Sequence, residues 1–255
     1  MKLTSYIAYL LPLILFTAIT GCSTTREITA IEGLDTAEIS AEELTAMIPD
    51  YRYDLQTISG SGRAIVSEPG SSERVTLQFQ SNRQQSLITV RNSMGIEGGQ
   101  IFVDTDSLLI YNRIDKIAEK VPLHEGRLSS IGSLASINIL DLVNYTINSS
   151  DIIEIFEDKN HYIVILNNKT RVTVNKTDGL IKEVVHAIDY YDAPYSRIEY
   201  EGYARISGFM LPRRVTIYSR DQASRATLLV QRLEVNIELP ELMINIPDDI
   251  PIYRI

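Results

Sequence analysis

The chain has one cysteine, Cys22, in 255 residues, and no tryptophan. A single thiol excludes an intrachain disulfide and any metal site built on paired cysteines. The three histidines, His124, His161 and His186, never fall at the His-x-His or His-x-x-x-His spacings that zinc sites use. No Gly-x-Ser-x-Gly occurs, and "GSG" at 60–62 has the wrong spacing for a nucleophile elbow. "GIEGG" at 95–99 is followed by no helical pattern, which a dinucleotide fingerprint requires. Asp104 and Asp106 stand in a loop too short for a hand-type calcium site, and Asp104–Ser107 reads as a tight turn. With no metal, cofactor or catalytic constellation in view, the expectation is a protein that is not an enzyme. Basic residues are also in short supply. A formal charge of −9 makes nucleic acid and anionic lipid surfaces poor partners.

The apolar run from about Ile7 to Ile19 is about 13 residues, short of the ~20 that span a bilayer. Behind Lys2 it has the form of a secretory signal peptide. It ends in Ile19-Thr20-Gly21-Cys22, which resembles the bacterial lipobox, in which the cysteine is acylated and the signal is cut on its N-terminal side. An ordinary signal peptide with an unrelated cysteine is the alternative. Acyl chains on Cys22 would anchor the chain stably, since each buried methylene adds about 0.8 kcal/mol. Ser23 in place of an aspartate implies export to the outer membrane, with the protein on its periplasmic face. The expected organisation is a lipoprotein signal peptide at 1–21, an acylated Cys and polar tether at 22–35, and one domain at 36–255. A domain of roughly 220 residues is large enough to hold its core without staples.

Within that domain, "TAEISAEELTAMIPDY" opens with a capping box at Ser40-x-x-Glu43 and carries an apolar stripe at Leu44, Met47, Ile48 and Tyr51. Pro49 ends it, so a short helix is expected at about 40–48. Thereafter the apolar period is two. "ISGSGRAIVSEPGSSERVTLQFQS" reads as two strands joined at Glu68–Ser71, with Val75, Leu77 and Phe79 on one face. Further strands follow at "SLITVRN", "QIFVDTDSLLIYNR" and "KIAEKVP". A second helix is expected from about Ser133 to Tyr145. Strands then resume from "IIEIFED" to "ATLLVQRLEVNIEL", with turns at Lys159-Asn160, Asn167-Asn168 and Asp178-Gly179. Val172 and Val174 share a face, as do Leu229, Leu233, Val235 and Ile237. The count is about eleven to thirteen strands, mostly antiparallel because the connections are short.

One-sided apolar strands need a cover. A nine-residue helix is only about 14 Å long, too little for ten or more strands. Two packed sheets would solve this, and so would one sheet curled on itself. About eight strands already make an interior that side chains can fill, so a wider curl leaves a hollow under the helices. The expected fold is therefore mainly β: a curled antiparallel half-barrel of about eleven strands with a helical lid. Its apolar hollow would be lined by residues such as Val75, Leu77, Phe79, Val172, Val174, Leu233 and Val235.

Two stretches carry a family resemblance. "RNSMGIEGGQIFVDTDSLLIYNR" (91–113) is similar to a strand–loop–strand, and "YARISGFMLPRRVTIYSR…ATLLVQRLEVNIELP" (203–240) to a C-terminal tail, of the Lol-type lipoprotein carriers and receptors and of a bacterial lipoprotein family of unknown function sharing their fold. With the lipobox, the resemblance covers most of 36–255, on turn residues and patterning. It implies a half-barrel that binds a lipid or the acyl chain of a lipoprotein, with possible transfer to the outer membrane. It also implies a loop, here Ser93–Gly99, that exposes Met94 and Ile96 to the membrane; the alternative is that both pack into the core at a hairpin end. No basic residue is matched to the clamp that holds some carriers closed, so an opening cycle is not implied. A second reading is a non-catalytic structural or assembly lipoprotein that meets an envelope protein partner and fills its hollow with its own side chains. The tyrosines of "DYYDAPYSRIEYEGY" (189–203) are either an aromatic recognition patch or half-buried strand filler.

Overall fold

The computed structural model describes residues 33–123, 135–187 and 195–254. The signal segment, Cys22, most of the tether, His124 and the first residues of the expected second helix lie outside these. The described sheet and its cores fall within one compact unit, Leu34–Ile255, which holds its own core.

Helix α1, Ala41–Met47, forms where the capping box predicts. Ser40 Oγ accepts from the Glu43 amide at 3.1 Å, and Glu43 Oε2 accepts from the Ser40 amide at 3.0 Å. Such a cap contributes about 1 kcal/mol. Leu44 and Ile48 are buried against the sheet, while Met47 turns to solvent. Helix α2, Ile139–Val143, is shorter than the periodicity suggests. Asn138 caps it, accepting from the Leu140 amide, and four of its five residues are buried.

Seventeen strands form among the described residues. They are β1 (Asp35–Thr36), β2 (Thr57–Glu68), β3 (Ser71–Asn82), β4 (Ser86–Arg91), β5 (Glu97–Val103), β6 (Ser107–Asn112), β7 (Ile117–Pro122), β8 (Ile152–Glu157), β9 (His161–Leu166), β10 (Arg171–Asn175), β11 (Ile181–Val185), β12 (Tyr195–Glu201), β13 (Ala204–Ile206), β14 (Phe209–Leu211), β15 (Arg214–Ser219), β16 (Arg225–Val235) and β17 (Ile252–Arg254). Fifteen make one sheet in the order β1-β8-β9-β10-β11-β12-β15-β16-β2-β3-β4-β5-β6-β7-β17. All its pairs are antiparallel except β7 with β17. The order does not close into a ring, so this is a curled, open sheet with β1 and β17 at its edges. β13 and β14 form a separate hairpin. The mainly β class and the one-sheet architecture agree with the sequence; the strand count is higher because short strands carry too few residues to show a period.

Directly paired residues share a face, so the register traces the inner surface. One row runs Val164–Val172–Val184–Ile198–Ile217–Ala226–Val66. Another runs Leu233–Gly60–Phe79–Ile88–Ile101–Ile110. The helices sit on this face. Leu142 joins the core of Leu44, Val172, Val174 and Tyr200, while Ile139, Leu140 and Val143 join that of Ile58, Phe79 and Val230, so α2 bridges the two halves. The outer face of β10–β12 is wet, with Glu183 within reach of both Arg171 and Arg197.

Two features depart from the sequence reading. A bulge between Val230 and Arg232 shifts the register of β16. Leu228 and Val230 point inward before it and Leu233 and Val235 after it, so Leu229 lies on the opposite face. The extra residue re-aims the strand, as bulges do. The outer face of β4–β7 is also not wet. Ile244 and Ile250 of the C-terminal segment pack over Leu87, Phe102, Leu109 and Tyr111 as a third core.

Candidate functional site

An apolar cavity of about 390 Å³ lies between the inner face and the segment leading into α2. Val75, Leu77, Val90 and Ile101 make its floor, Ile137 and Ile139 its roof, and Glu68 and Glu73 reach its rim. The floor arises because β3, β4 and β5 alternate strictly here, so every second side chain turns inward. The roof is pinned from the far end of β3 and β4. Ser86 Oγ accepts from the Ile139 amide at 3.0 Å, and the Asn138 side chain contacts Ser81 Oγ and donates to the Asn82 carbonyl.

A second cavity, of about 500 Å³, adjoins the first across Ile137 and Leu142, which line both. Its wall mixes Tyr145, Tyr195 and Ile198 with Arg52, Arg83, Asp141 and Asn144. Arg83 stands in the β3–β4 turn and ties three segments together. Its Nη2 donates to the carbonyls of Tyr51 and Leu55 at 2.8 and 2.5 Å, and its Nη1 reaches Asp141 at 3.3 Å. The Asp141 side chain is mostly exposed, so this ion pair is screened by solvent. Arg52 is paired with Asp50 and donates to Asn148 Oδ1 at 2.6 Å. Each guanidinium here thus has its own carboxylate.

The sequence-derived lining residues separate into three groups. Val75 and Leu77 line the first cavity. Phe79, 1% exposed, is packed in the core beside it, and Leu233 and Val235 are half-buried against the same core. Val172 and Val174 lie in the other half of the sheet, completely buried under α1 and among close neighbours. Outside the β16 bulge the sheet alternates as expected, but α1 and α2 together fill the hollow over β9–β11 and leave space over β12 and over β2–β5.

Met94 and Ile96 are 77% and 57% exposed at the tip of the β4–β5 hairpin. Ile114, 75% exposed, stands on the β6–β7 hairpin at the same end of the sheet and was not singled out by the sequence. Both tips are held open in the same way. Asn92 Oδ1 accepts from the amides of Met94 and Ile96, and Asn112 Oδ1 from those of Ile114 and Asp115. These bonds shape both loops, and the Met94, Ile96 and Ile114 side chains are largely exposed on them. The β2–β3 turn lies at this end too, because β3 runs antiparallel to β4. The rim of the apolar cavity at Glu68 and Glu73 and the aliphatic tips therefore occupy one end of the sheet.

The remaining chemistry-bearing residues have structural surroundings. His161 contacts Asp158 at 3.2 Å in an exposed turn. His186 is buried beyond β11 against Thr170 and Tyr195, and desolvation, helped by Arg220, lowers its pKa to about 4. Asp104 Oδ1 accepts from the amides of Asp106 and Ser107, as a tight turn requires. Tyr200 is fully buried, which pushes its pKa up, and the Tyr203 hydroxyl donates to the Ile181 carbonyl at 2.7 Å. These tyrosines are strand filler; Tyr190 and Tyr191 lie outside the described residues.

No family model matches the chain, and no curated protein matches its sequence. Solved structures do match its fold. A LolA superfamily protein from Nitrosomonas europaea superposes with a TM-score of 0.53 at 10% identity, covering 80% of this chain and 96% of the other. A DUF1329 family protein from Desulfovibrio piger superposes with a TM-score of 0.51 at 10% identity, covering 79% and 92%. The curled sheet with its helical cover is a LolA-type fold.

Proposed function

We propose that this chain is a lipid-anchored envelope protein that holds an acyl chain, of a lipid or of an acylated protein, in the cavity over β2–β5. The observation that carries the reading is an apolar cavity of about 390 Å³ lined by aliphatic side chains. That size falls in the range of small-molecule sites. A structural or assembly role would leave this space filled by the protein's own atoms, as it is over β9–β11. The LolA-type fold supports a carrier of apolar cargo, and the Ile19–Cys22 lipobox supports anchoring through an acylated Cys22 and placement at the outer membrane. If residues 34–255, expressed in the periplasm and purified without detergent, yield stoichiometric lipid on extraction and mass spectrometry, the carrier reading holds. A piece that yields none and fails to bind the neutral probe N-phenyl-1-naphthylamine removes it.

Met94, Ile96 and Ile114 would meet the bilayer and bring the cavity rim to it. Three aliphatic side chains on convex tips suit a fluid surface better than a protein partner, which needs roughly 800 Å² on each side. Replacing all three by serine is expected to reduce co-sedimentation of residues 34–255 with phosphatidylcholine–phosphatidylethanolamine vesicles at least fivefold. Undiminished co-sedimentation of the triple variant discards this contact.

A further inference from the structure

The net charge of −9 argues against anionic surfaces, but it conceals a sorting of charge by face at one end of the sheet. Arg63 on β2 and Arg91 on β4 flank Thr76 of β3 in one row of directly paired residues. Arg74 stands two positions along β3, so it shares their face and is a diagonal neighbour of both, about 7–8 Å away. This is the outer face, since Val75 and Leu77 alternate with these residues and line the cavity. Arg63 and Arg74 are exposed and Arg91 is half-buried. None of the three makes an ion pair among the described residues. The carboxylates of this end are turned away or engaged. Glu68 and Glu73 belong to the inner face at the cavity rim, Glu97 is held by Arg113 at 2.8 Å, and Asp115 accepts from the Asn112 side chain at 2.7 Å. Like charges on neighbouring strands repel, and here no carboxylate relieves them.

The patch is continuous with the aliphatic tips. Arg91 ends β4, and Asn92 directly after it opens the loop that carries Met94 and Ile96. Arg74 lies two residues, about 7 Å, further toward that end. A surface that meets Met94 therefore comes level with the arginines, whose long side chains extend to it while the strands stay clear. Aliphatic tips beside unpaired arginines match a bilayer interface, where an apolar interior adjoins phosphate. We propose that the outer face around Thr76 is a headgroup-docking patch, in which Arg63, Arg74 and Arg91 take the phosphates of anionic phospholipids as the tips enter the bilayer. This rests on the membrane contact of the tips and adds which lipids are selected. Attraction of an arginine to an anionic surface fades within a Debye length, so these three act at contact while the more distant carboxylates are screened.

The test is co-sedimentation of residues 34–255 with phosphatidylcholine vesicles and with vesicles in which one lipid in three is phosphatidylglycerol. In about 0.1 M salt, where the Debye length is about 10 Å, wild type should bind the anionic vesicles at least fivefold more tightly than the neutral ones. In about 1 M salt, where that length is about 3 Å, the difference should vanish. The Arg63→Gln, Arg74→Gln double variant should lose the difference, keep its binding to neutral vesicles within twofold, and melt at or above wild type because repulsion is relieved. Arg63→Lys, Arg74→Lys should retain at least half of the preference. Equal binding of wild type to both vesicles overturns the patch and leaves the tip contact standing, as does an undiminished preference in the glutamine variant. Loss of the preference to inorganic phosphate at matched ionic strength would show a free-anion site and overturns the patch. Capture of polyglutamate in place of the anionic vesicles would show an acidic protein partner and overturns it too. Wild type that binds neither kind of vesicle removes the patch and the tip contact together.

Discussion

The Val75→Phe, Val90→Phe double variant is expected to bind N-phenyl-1-naphthylamine at least tenfold more weakly than the wild-type domain while melting within a few degrees of it. Both valines line the cavity floor on neighbouring strands and are only half-buried, so added rings enter empty space and not packed atoms. Two rings occupy area that the ligand would otherwise bury. Losing roughly 60 Å² of apolar contact at about 25 cal/mol per Å² costs about 1.5 kcal/mol, which is about a tenfold change in affinity. Val172→Phe makes the contrast. That residue is fully buried in the filled half, and overpacking there costs about 1–3 kcal/mol. It should lower the melting temperature with no loss of dye binding in the folded fraction. Dye binding by the double variant at wild-type affinity would show that the cavity over β2–β5 is not the binding site, whatever else binds the dye.

That contrast between two halves of one sheet also marks how far the sequence could be read. The period-two patterns of β3 and β10 are equally clear, and both strands turn that face inward. What decides between cavity wall and filled core is the covering layer, and the position of a helix over a sheet has no period in the chain. Phe79 illustrates the point, since it alternates with Leu77 in sequence yet is packed solid while Leu77 lines open space. The β16 bulge was invisible for a related reason: "LLVQRLEV" offers two apolar registers, and only pairing with β2 selects between them. Met94 and Ile96 were singled out by the resemblance to the receptors' loop, and both are exposed at the β4–β5 tip. Ile114 was not singled out, although in "NRIDK" Asn112 opens the turn as Asn92 opens the other.

Gly179→Ala is expected to be the most damaging single methyl addition among these turns, and Gly70→Ala shows why. Both glycines adopt positive φ, 68° and 83° respectively, in turns between antiparallel strands. A side chain in that region costs roughly 1–2 kcal/mol by itself. At Gly70 a Cβ would meet nothing within 4 Å, so strain is the whole cost. At Gly179 it would overlap the carbonyl oxygen of Met47, the last residue of α1. Backbone cannot rotate away as a side chain can, so either the β10–β11 turn or the helix must shift, adding about 1–3 kcal/mol. The turn is held by the Gly179 amide on the Asn175 carbonyl and by Asp178 Oδ1 accepting from Leu180. The helix is held mainly by Leu44 and Ile48, and moving it uncovers the filled half of the sheet. Gly179→Ala should therefore lose about 2–5 kcal/mol in urea unfolding, against about 1–2 kcal/mol for Gly70→Ala. For a domain of this size the larger loss lowers the melting temperature by on the order of 10 °C. Equal losses at the two positions would mean that α1 does not rest on this turn in solution, and that the filling of the hollow over β9–β11 has another source.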